Sequence, residues 1–243
     1  MVRLIVYLFL PILISCDKQY QELIPPPVLT DTVPVIPPKK DSFLTYLALG
    51  DSYTIGQSVL QAERFPVQTV ELLKEDSIGF IDPEIIAQTG WTTGNLINRL
   101  NTKPPTLSKY DVVTLLIGVN NQYTGSSQDL YKEQFTTLLY RAIAYAGNKP
   151  KRVIVLSIPD YGVTPFAGAA NKERIGLEID AFNMINREIA IATGVQYLDI
   201  TPSTRLAETD LSLLAVDRLH PSGKEYAKWA KRLVPLIIEG LRD

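Results

Sequence analysis

The sequence predicts an α/β domain in which helices cover both faces of a parallel five-stranded sheet. From residue 43 onward, five short apolar runs alternate with longer amphipathic patterns, as strands and helices do in such folds. The chain has 243 residues, of which 46% are hydrophobic and 21% are charged, an ordinary composition for a globular protein. This length allows one α/β domain or two small ones, and we predict a single domain over residues 43–243.

The five predicted strands are short and largely apolar. They lie at residues 43–50, 83–90, 110–120, 151–160 and 195–201. Continuous apolar runs of this length are typical of strands that are buried on both faces.

Five amphipathic patterns predict the covering helices. They span residues 65–76, 92–102, 129–147, 177–194 and 222–241. Gly147 stands at the position after a helix where glycine is favoured. Pro235 lies inside the last pattern, where we expect it to kink or end the helix.

Residues 1–15 are typical of a signal peptide. Arg3 supplies a positive start, and the apolar stretch that follows is too short to span a bilayer. The segment ends in Leu13-Ile14-Ser15-Cys16, which resembles the bacterial lipobox, whose Cys is lipidated and becomes the mature N-terminus. We therefore expect a lipid anchor on Cys16 and a location in the bacterial cell envelope, periplasmic or at the cell surface. A plain secretory signal, or an apolar tail with an incidental Cys, are the alternatives.

Residues 16–42 are predicted to link the lipidated Cys16 to the folded domain. Residues 17–42 hold six prolines and no periodic apolar pattern. Proline-rich segments favour an extended, semi-rigid conformation, which would hold a domain away from a membrane surface. A tail without a role is the alternative.

Composition excludes some sites and partners. The formal net charge of −2 argues against a nucleic-acid partner, because domains that bind nucleic acids normally carry a basic surplus. The chain has one Cys and one His, too few for a Cys/His zinc site. No metal or organic cofactor is implied. If a histidine performs acid–base chemistry, it is His220.

Small and polar residues follow the predicted strands. They are Gly50-Asp51-Ser52, Gly90-Trp91, Asn120-Asn121 and Asp160-Tyr161, and Asp217 and His220 precede the last helix. Because the carboxyl ends of parallel strands meet at one edge of a sheet, we expect these residues to gather there.

These residue types are the ones that a nucleophilic serine requires. Such a serine needs a base, an acid that orients the base, and donors for the oxyanion. Ser52 fits the role of the nucleophile, His220 that of the base and Asp217 that of the orienting acid. The backbones of Ser52 and Gly90 and the side-chain amide of Asn120 could supply the donors.

The local sequence around His220 predicts a rigid backbone that fixes the position of the imidazole. The spacing Asp217-x-x-His220 lets the carboxylate reach the imidazole within one turn. Pro221 restricts His220 to extended backbone. Ser222 and Glu225 have the spacing of a capping box that opens the last helix.

Four blocks together resemble the SGNH hydrolases, or GDSL esterase/lipase family. They are "GDSYT" with Ser52, "AQTGWTT" with Gly90, "IGVNN" with Asn120, and "DRLHPSG" with Asp217 and His220. The blocks stand in the family's order. The resemblance implies a flavodoxin-like three-layer α/β/α fold, the triad Ser52, His220 and Asp217, and an oxyanion hole from Ser52, Gly90 and Asn120.

Two positions depart from the family's pattern. Asn121 stands where the family commonly has Asp, and Tyr53 where it commonly has Leu. Several residues beside the four blocks are candidates to bind substrate, with packing as the alternative. They are Tyr53, Trp91, Gln122, Asp160 and Tyr161.

The expected activity is hydrolysis of carboxylic esters. Ester-bearing small molecules or O-acyl groups on glycans are the expected substrates. An O-acyltransferase, a lysophospholipase or thioesterase, and a non-catalytic binding lipoprotein are the alternatives. The sequence leaves the oligomeric state open.

Overall fold

A five-stranded parallel sheet runs through the part of the chain that the computed structural model describes, residues 43–243. The strands are β1 Tyr46–Gly50, β2 Glu84–Ala87, β3 Val112–Leu116, β4 Val153–Leu156 and β5 Gln196–Leu198. Their order is β2-β1-β3-β4-β5, the flavodoxin-like order. The predicted strands and fold class are therefore confirmed. The predicted signal peptide, Cys16 and linker lie outside the described residues.

Eight helices connect and cover these strands within residues 43–243. They are α1 Ser52–Ile55, α2 Phe65–Glu75, α3 Thr93–Thr102, α4 Val119–Tyr123, α5 Gln128–Tyr145, α6 Lys172–Ala192, α7 Thr201–Arg205 and α8 Gly223–Leu241. Each of the five long helices overlaps one of the predicted helices. The short helices α1, α4 and α7 are too short to show an apolar period, so the sequence pattern does not reveal them.

Two long helices differ from the prediction. Helix α6 begins at Lys172, five residues before the predicted start at residue 177, because buried Ile175 extends its apolar face past Gly176. Helix α8 does not end at Pro235 but continues to Leu241. Pro235 and Lys231 are both exposed, so water can bond the Lys231 carbonyl that lacks a partner in the helix.

The packing of α2 against α8 positions one end of the site. The ring of Phe65 in α2 lies 6.1 Å from Tyr226 and 5.9 Å from Trp229, both in α8. All three side chains are fully buried, and the burial of Phe65 alone stabilises the fold by about 1.5–3 kcal/mol. This contact holds the loop before α8, which carries His220, close to the segment that follows β1.

Helices α3, α5 and α6 pack side by side as a second helical layer. In residues 43–243, no helix is both long and apolar enough to cross a membrane.

Candidate active site

The register of the sheet aligns the ends of the first three strands. Gly50 pairs with Ala87 at the end of β2 and with Leu116 at the end of β3. The segments that carry Ser52, Gly90 and Asn120 therefore leave the sheet at the same edge, as expected for parallel strands.

A sharp turn places Ser52 at the start of α1. A Cβ atom on Gly50 would lie 2.1 Å from Thr54 Oγ1 and 2.4 Å from the Leu116 carbonyl oxygen, so only glycine fits. Asp51 caps the helix, because its Oδ1 accepts the backbone N–H of Tyr53 at 3.0 Å. Ser52 is thus the first residue of a helix, where backbone N–H groups lack partners within the helix.

Asp51 carries a buried carboxyl group whose pKa is raised above its ordinary value. Its side chain is fully buried, and Oδ2 has no hydrogen-bond partner among the described residues. Burial raises the pKa of Asp51 to about 7, although the hydrogen bond from Tyr53 opposes this rise.

Asp217 and His220 lie in one tight turn. Asp217 Oδ2 lies 2.7 Å from His220 Nδ1, and Asp217 Oδ1 accepts the backbone N–H groups of Leu219 and His220 at 3.0 Å each. The Ala215 N–H donates to the His220 carbonyl at 2.7 Å, and Arg218 at the tip has a φ of 57°. The predicted contact between carboxylate and imidazole is present, and the turn fixes the direction of the ring.

Ser58 is a partner of Asp217 that sequence reasoning missed. Its hydroxyl donates to Asp217 Oδ2 at 2.6 Å across a sequence separation of 159 residues. Burial alone would raise the pKa of Asp217, but the hydrogen bonds from Ser58 and from His220 lower it to about 2. Asp217 is therefore a carboxylate at neutral pH. No motif around Ser58 signals this contact, since only the fold brings the two residues together.

The predicted capping box is only half formed. The Ser222 hydroxyl accepts the backbone N–H of Glu225 at 3.4 Å. The Ser222 N–H is already used, because it donates to the Leu213 carbonyl at 2.8 Å. The Glu225 carboxylate instead turns inward, where it accepts Trp229 Nε1–H at 2.9 Å and pairs with Lys228 at 2.9 Å.

Asn120 lies in the short helix α4, after a backbone conformation that requires glycine. Gly118 has a φ of 138°, and a Cβ atom there would lie 2.6 Å from Ile158 and 2.7 Å from Tyr131. Asn120 Nδ2 donates one hydrogen to the Trp91 carbonyl at 3.0 Å. A second amide hydrogen remains for another acceptor.

Asn121, where the family pattern commonly has Asp, ties α4 to the start of α3. Its side chain is buried, its Oδ1 accepts the Thr93 N–H at 2.9 Å, and its Nδ2 donates to the Thr93 hydroxyl at 2.7 Å. The amide therefore supports the Asn120 segment through two hydrogen bonds.

Ser52 and His220 line one small cavity of about 110 Å³, here called the acyl cavity. The other residues of its lining are Tyr53, Val119, Asn120, Tyr123, Tyr161, Phe166 and Leu219. Asp217 lies behind the His220 ring. The sequence did not single out Tyr123 or Phe166, because neither stands directly beside a recognisable block.

The residues predicted to bind substrate have separate places. Tyr53 and Tyr161 line the acyl cavity, and Gln122 lines a larger cavity beside it. Trp91 offers its carbonyl to Asn120. Asp160 is buried and pairs with Arg205 at 2.9 Å, outside the lining of the acyl cavity.

Gly90 lies at the sheet edge in an exposed turn with a φ of 82°. Space around it is open, since no atom lies within 4 Å of where its Cβ would be. Residues 43–243 contain no group of three or more His, Cys, Asp or Glu side chains arranged to hold a metal ion.

Comparison with known proteins gives a consistent result. The model of the GDSL-like Lipase/Acylhydrolase family matches residues 48–228. The Spore germination lipase LipC of Bacillus licheniformis is 24% identical over 208 residues, which cover 78% of this chain and 94% of that protein.

Two solved structures share the fold. The lipase Lip_vut3 from a goat rumen metagenome has a TM-score of 0.64 at 21% identity, covering 79% of this chain and 97% of that one. Axe2, an acetylxylan esterase from Geobacillus stearothermophilus, has a TM-score of 0.61 at 19% identity, covering 81% and 94%.

Proposed function

The chain belongs to the GDSL-like Lipase/Acylhydrolase family and is a carboxylic ester hydrolase, and on this premise we propose that Ser52, His220 and Asp217 form its catalytic triad. The observation that carries the proposal is geometric. Ser52 and His220 line the same cavity, and the Asp217 carboxylate lies 2.7 Å from the far nitrogen of the His220 ring.

The roles of the three residues follow from the hydrogen bond between Asp217 and His220. Because the Asp217 carboxylate binds His220 Nδ1, that nitrogen carries the proton and Nε2 is the basic nitrogen. Ser52 Oγ attacks the ester carbonyl carbon, and Nε2 accepts the hydroxyl proton. Nε2 then gives this proton to the leaving alcohol oxygen as the carbon–oxygen bond breaks. Water repeats the sequence on the acyl-enzyme, which releases the carboxylic acid and frees Ser52.

Three donors are proposed to hold the carbonyl oxygen as it becomes negative. The Ser52 N–H begins α1, the second hydrogen of Asn120 Nδ2 is available beside the acyl cavity, and the positive φ of Gly90 turns its backbone at the same sheet edge. Each such donor contributes several kcal/mol to stabilising the tetrahedral intermediate in comparable enzymes, about 2.7–4 kcal/mol.

The size of the acyl cavity favours a short acyl group. Its volume of about 110 Å³ corresponds to about four water molecules at about 30 Å³ each. An acetyl group fits this space. The proposed substrates are therefore short O-acyl esters, and the O-acyl groups of glycans are the class that we favour.

Ester hydrolysis by matched variants tests this proposal. The wild-type protein should hydrolyse 4-nitrophenyl acetate faster than the butyrate, and far faster than the octanoate. Ser52→Ala and His220→Ala should each lower kcat by about a thousandfold or more. Ser108→Ala, at an exposed serine that lines neither the acyl cavity nor the larger cavity beside it, is the matched control and should keep wild-type activity. Full activity in Ser52→Ala would contradict the proposal.

A lipid anchor on Cys16 in the bacterial cell envelope is a separate proposal. Its support is the sequence Leu13-Ile14-Ser15-Cys16 after an apolar stretch. In bacterial cells, Cys16→Ser should move the protein from the membrane fraction to the soluble fraction, while Ser15→Ala should leave it in the membrane fraction. Membrane fractionation that Cys16→Ser does not change would reject the anchor.

A further inference from the structure

A second and larger cavity lies beside the acyl cavity. Its volume is about 650 Å³, and it lies between the segment from α4 to the start of α5 and the first turns of α6. We call it the outer cavity. A volume of about 300–1,000 Å³ is usual for sites that bind small molecules. The outer cavity therefore has the size of a site for a small molecule, whereas the acyl cavity has room only for a small group.

The two cavities share one aromatic wall. Tyr123, Tyr161 and Phe166 line both of them. The three rings contact one another, with centroid distances of 6.0, 6.2 and 6.4 Å. Tyr123 is 60% exposed and Phe166 is 54% exposed, so both present apolar ring surface at the boundary between the cavities. A ligand that fills both cavities must cross these rings.

The lining of the outer cavity also includes a charged pair, Arg174 and Glu178. Arg174 donates to both carboxylate oxygens of Glu178, at 2.8 and 2.9 Å, and Gln122 Nε2 donates to Glu178 Oε2 at 2.5 Å. The hydrogen bond from Arg174 lowers the pKa of Glu178, which is therefore ionised at neutral pH. Gln122 is buried, whereas the side chains of Arg174 and Glu178 are 58% and 39% exposed. A ligand can therefore contact Arg174 and Glu178, and the hydrogen bond from buried Gln122 fixes the position of the Glu178 carboxylate.

This combination fits a sugar better than an acyl chain. A hydrocarbon chain would displace water from Arg174 and Glu178 without replacing its hydrogen bonds, which is unfavourable. A sugar ring offers hydroxyl groups that donate to a carboxylate and accept from a guanidinium, and C–H faces that pack on aromatic rings. We propose that the outer cavity binds a sugar unit of an O-acylated glycan, the alcohol half of the ester, while its acyl group enters the acyl cavity. This inference rests on the proposed function.

Two kinds of substrate, tested on the wild-type protein, distinguish failure of the sugar site from failure of the proposed ester hydrolysis. 4-Nitrophenyl acetate tests the acyl cavity alone, and O-acetylated xylo-oligosaccharides and chito-oligosaccharides test both cavities. We expect hydrolysis of 4-nitrophenyl acetate and of at least one acetylated oligosaccharide. Activity on the nitrophenyl ester with none on the oligosaccharides would overturn the inference alone. Activity on neither would overturn the proposed function as well.

Variants of the outer cavity then locate the sugar. Arg174→Ala and Glu178→Ala, both outside the lining of the acyl cavity, should each lower kcat/KM for the acetylated oligosaccharide at least about fivefold, mainly through KM, and change kcat/KM for 4-nitrophenyl acetate less than about twofold. Lys74→Ala and Glu71→Ala are the matched controls, because each breaks the exposed ion pair between Lys74 and Glu71, outside both cavities. Both controls should match the wild type on both substrates.

Two outcomes would overturn the inference at this stage. One is an equal loss on both substrates in Arg174→Ala and Glu178→Ala, or no loss on either. The other is a changed preference among nitrophenyl acetate, hexanoate and octanoate in Arg174→Ala, which would place the acyl chain in the outer cavity.

Discussion

The ring of Tyr53 packs against the imidazole of His220, with 5.1 Å between the ring centroids and 55° between the ring planes. Tyr53 is buried directly after Ser52, at the position where the family pattern commonly has Leu. The contact with His220 gives a physical reason for an aromatic residue at this position. Asp217 holds one edge of the imidazole, and Tyr53 supports its face.

The first prediction concerns this support. Tyr53→Phe keeps the ring and should retain kcat within about threefold. Tyr53→Leu replaces the flat ring with a branched chain and should lower kcat about tenfold with little change in KM, because the imidazole loses its orientation. Kinetics on 4-nitrophenyl acetate across pH 5–9 measure both effects. An equal loss in Tyr53→Phe would show that the hydroxyl, rather than the ring, is what matters.

The second prediction concerns Ser58 and Asp217. Hydrogen bonds from Ser58 and His220 outweigh the effect of burial and hold the pKa of Asp217 at about 2, below its ordinary value of 3.8. A depressed carboxyl pKa stabilises the fold above pH 3.8, and this contribution is lost as the pH falls through about 2. Ser58→Ala should raise the pKa of Asp217 towards its unfolded value, so the stability lost between about pH 4 and pH 2 should be smaller in this variant than in the wild type.

Variants of Asp217 and Ser58 should also differ in catalytic activity. Asp217→Asn should lower kcat at neutral pH about a thousandfold or more, because the imidazole loses its anionic partner. Ser58→Ala should lower it less than about tenfold, since the carboxylate keeps its contact with His220. Melting curves between pH 2 and 5, with steady-state rates at pH 7, measure the two effects. Identical acid melting in Ser58→Ala and the wild type would refute the role of Ser58.

The third prediction concerns the buried carboxyl group of Asp51. Burial raises the pKa of Asp51 to about 7, so the folded state binds more protons than the unfolded state between about pH 4 and pH 7. Stability therefore falls as the pH rises through this window. The effect amounts to about 4 kcal/mol, at about 1.4 kcal/mol for each unit of pKa. Asp51→Asn keeps a capping oxygen and should remove this dependence.

Denaturant unfolding of both proteins at several pH values measures the difference. The free energy of unfolding of Asp51→Asn, relative to that of the wild type, should increase from pH 4 to pH 7. A difference that stays constant over this range would contradict the raised pKa.

The fourth prediction concerns Asn121. Its side chain makes two hydrogen bonds to Thr93, and the Thr93 hydroxyl in turn donates to Gln134 at 2.6 Å. Asn121→Asp should be tolerated, because the Thr93 hydroxyl can rotate to donate to the new carboxylate and the Gln134 amide can turn. Asn121→Leu leaves the buried Thr93 N–H without a partner and should cost about 1–3 kcal/mol of stability. Melting temperatures and kcat of both variants test this, and equal stability of the two would refute it.

Much of the site could be predicted because its chemistry requires particular residue types. The sole His220, with Asp217 three residues before it, limits the choice of base and acid. The parallel sheet then brings the segments after β1, β2 and β3 to one edge, whatever the details of their loops. Gly50 also stands out in the sequence, because it ends an apolar run directly before Asp51 and Ser52.

Other features depend on contacts between distant segments, which leave no local pattern. Ser58 reaches Asp217 across the chain, and the inward turn of Glu225 depends on Trp229 and Lys228. The outer cavity arises where α4 and α6 come together, and the predicted helix over residues 177–194 leaves out Arg174, so the sequence does not predict its pair with Glu178. Asp160 stands beside a strand end like the other candidates, yet its bond to Arg205 keeps it out of the acyl cavity.

Covalent labelling tests the central claim, that Ser52 is the nucleophile activated by His220. The wild-type protein is treated with a fluorophosphonate, and the modified residue is identified by mass spectrometry of its peptides. The account predicts a single adduct on Ser52, no adduct in Ser52→Ala, and much slower labelling in His220→Ala. An adduct on another residue, or equal labelling of Ser52→Ala and the wild type, would contradict it.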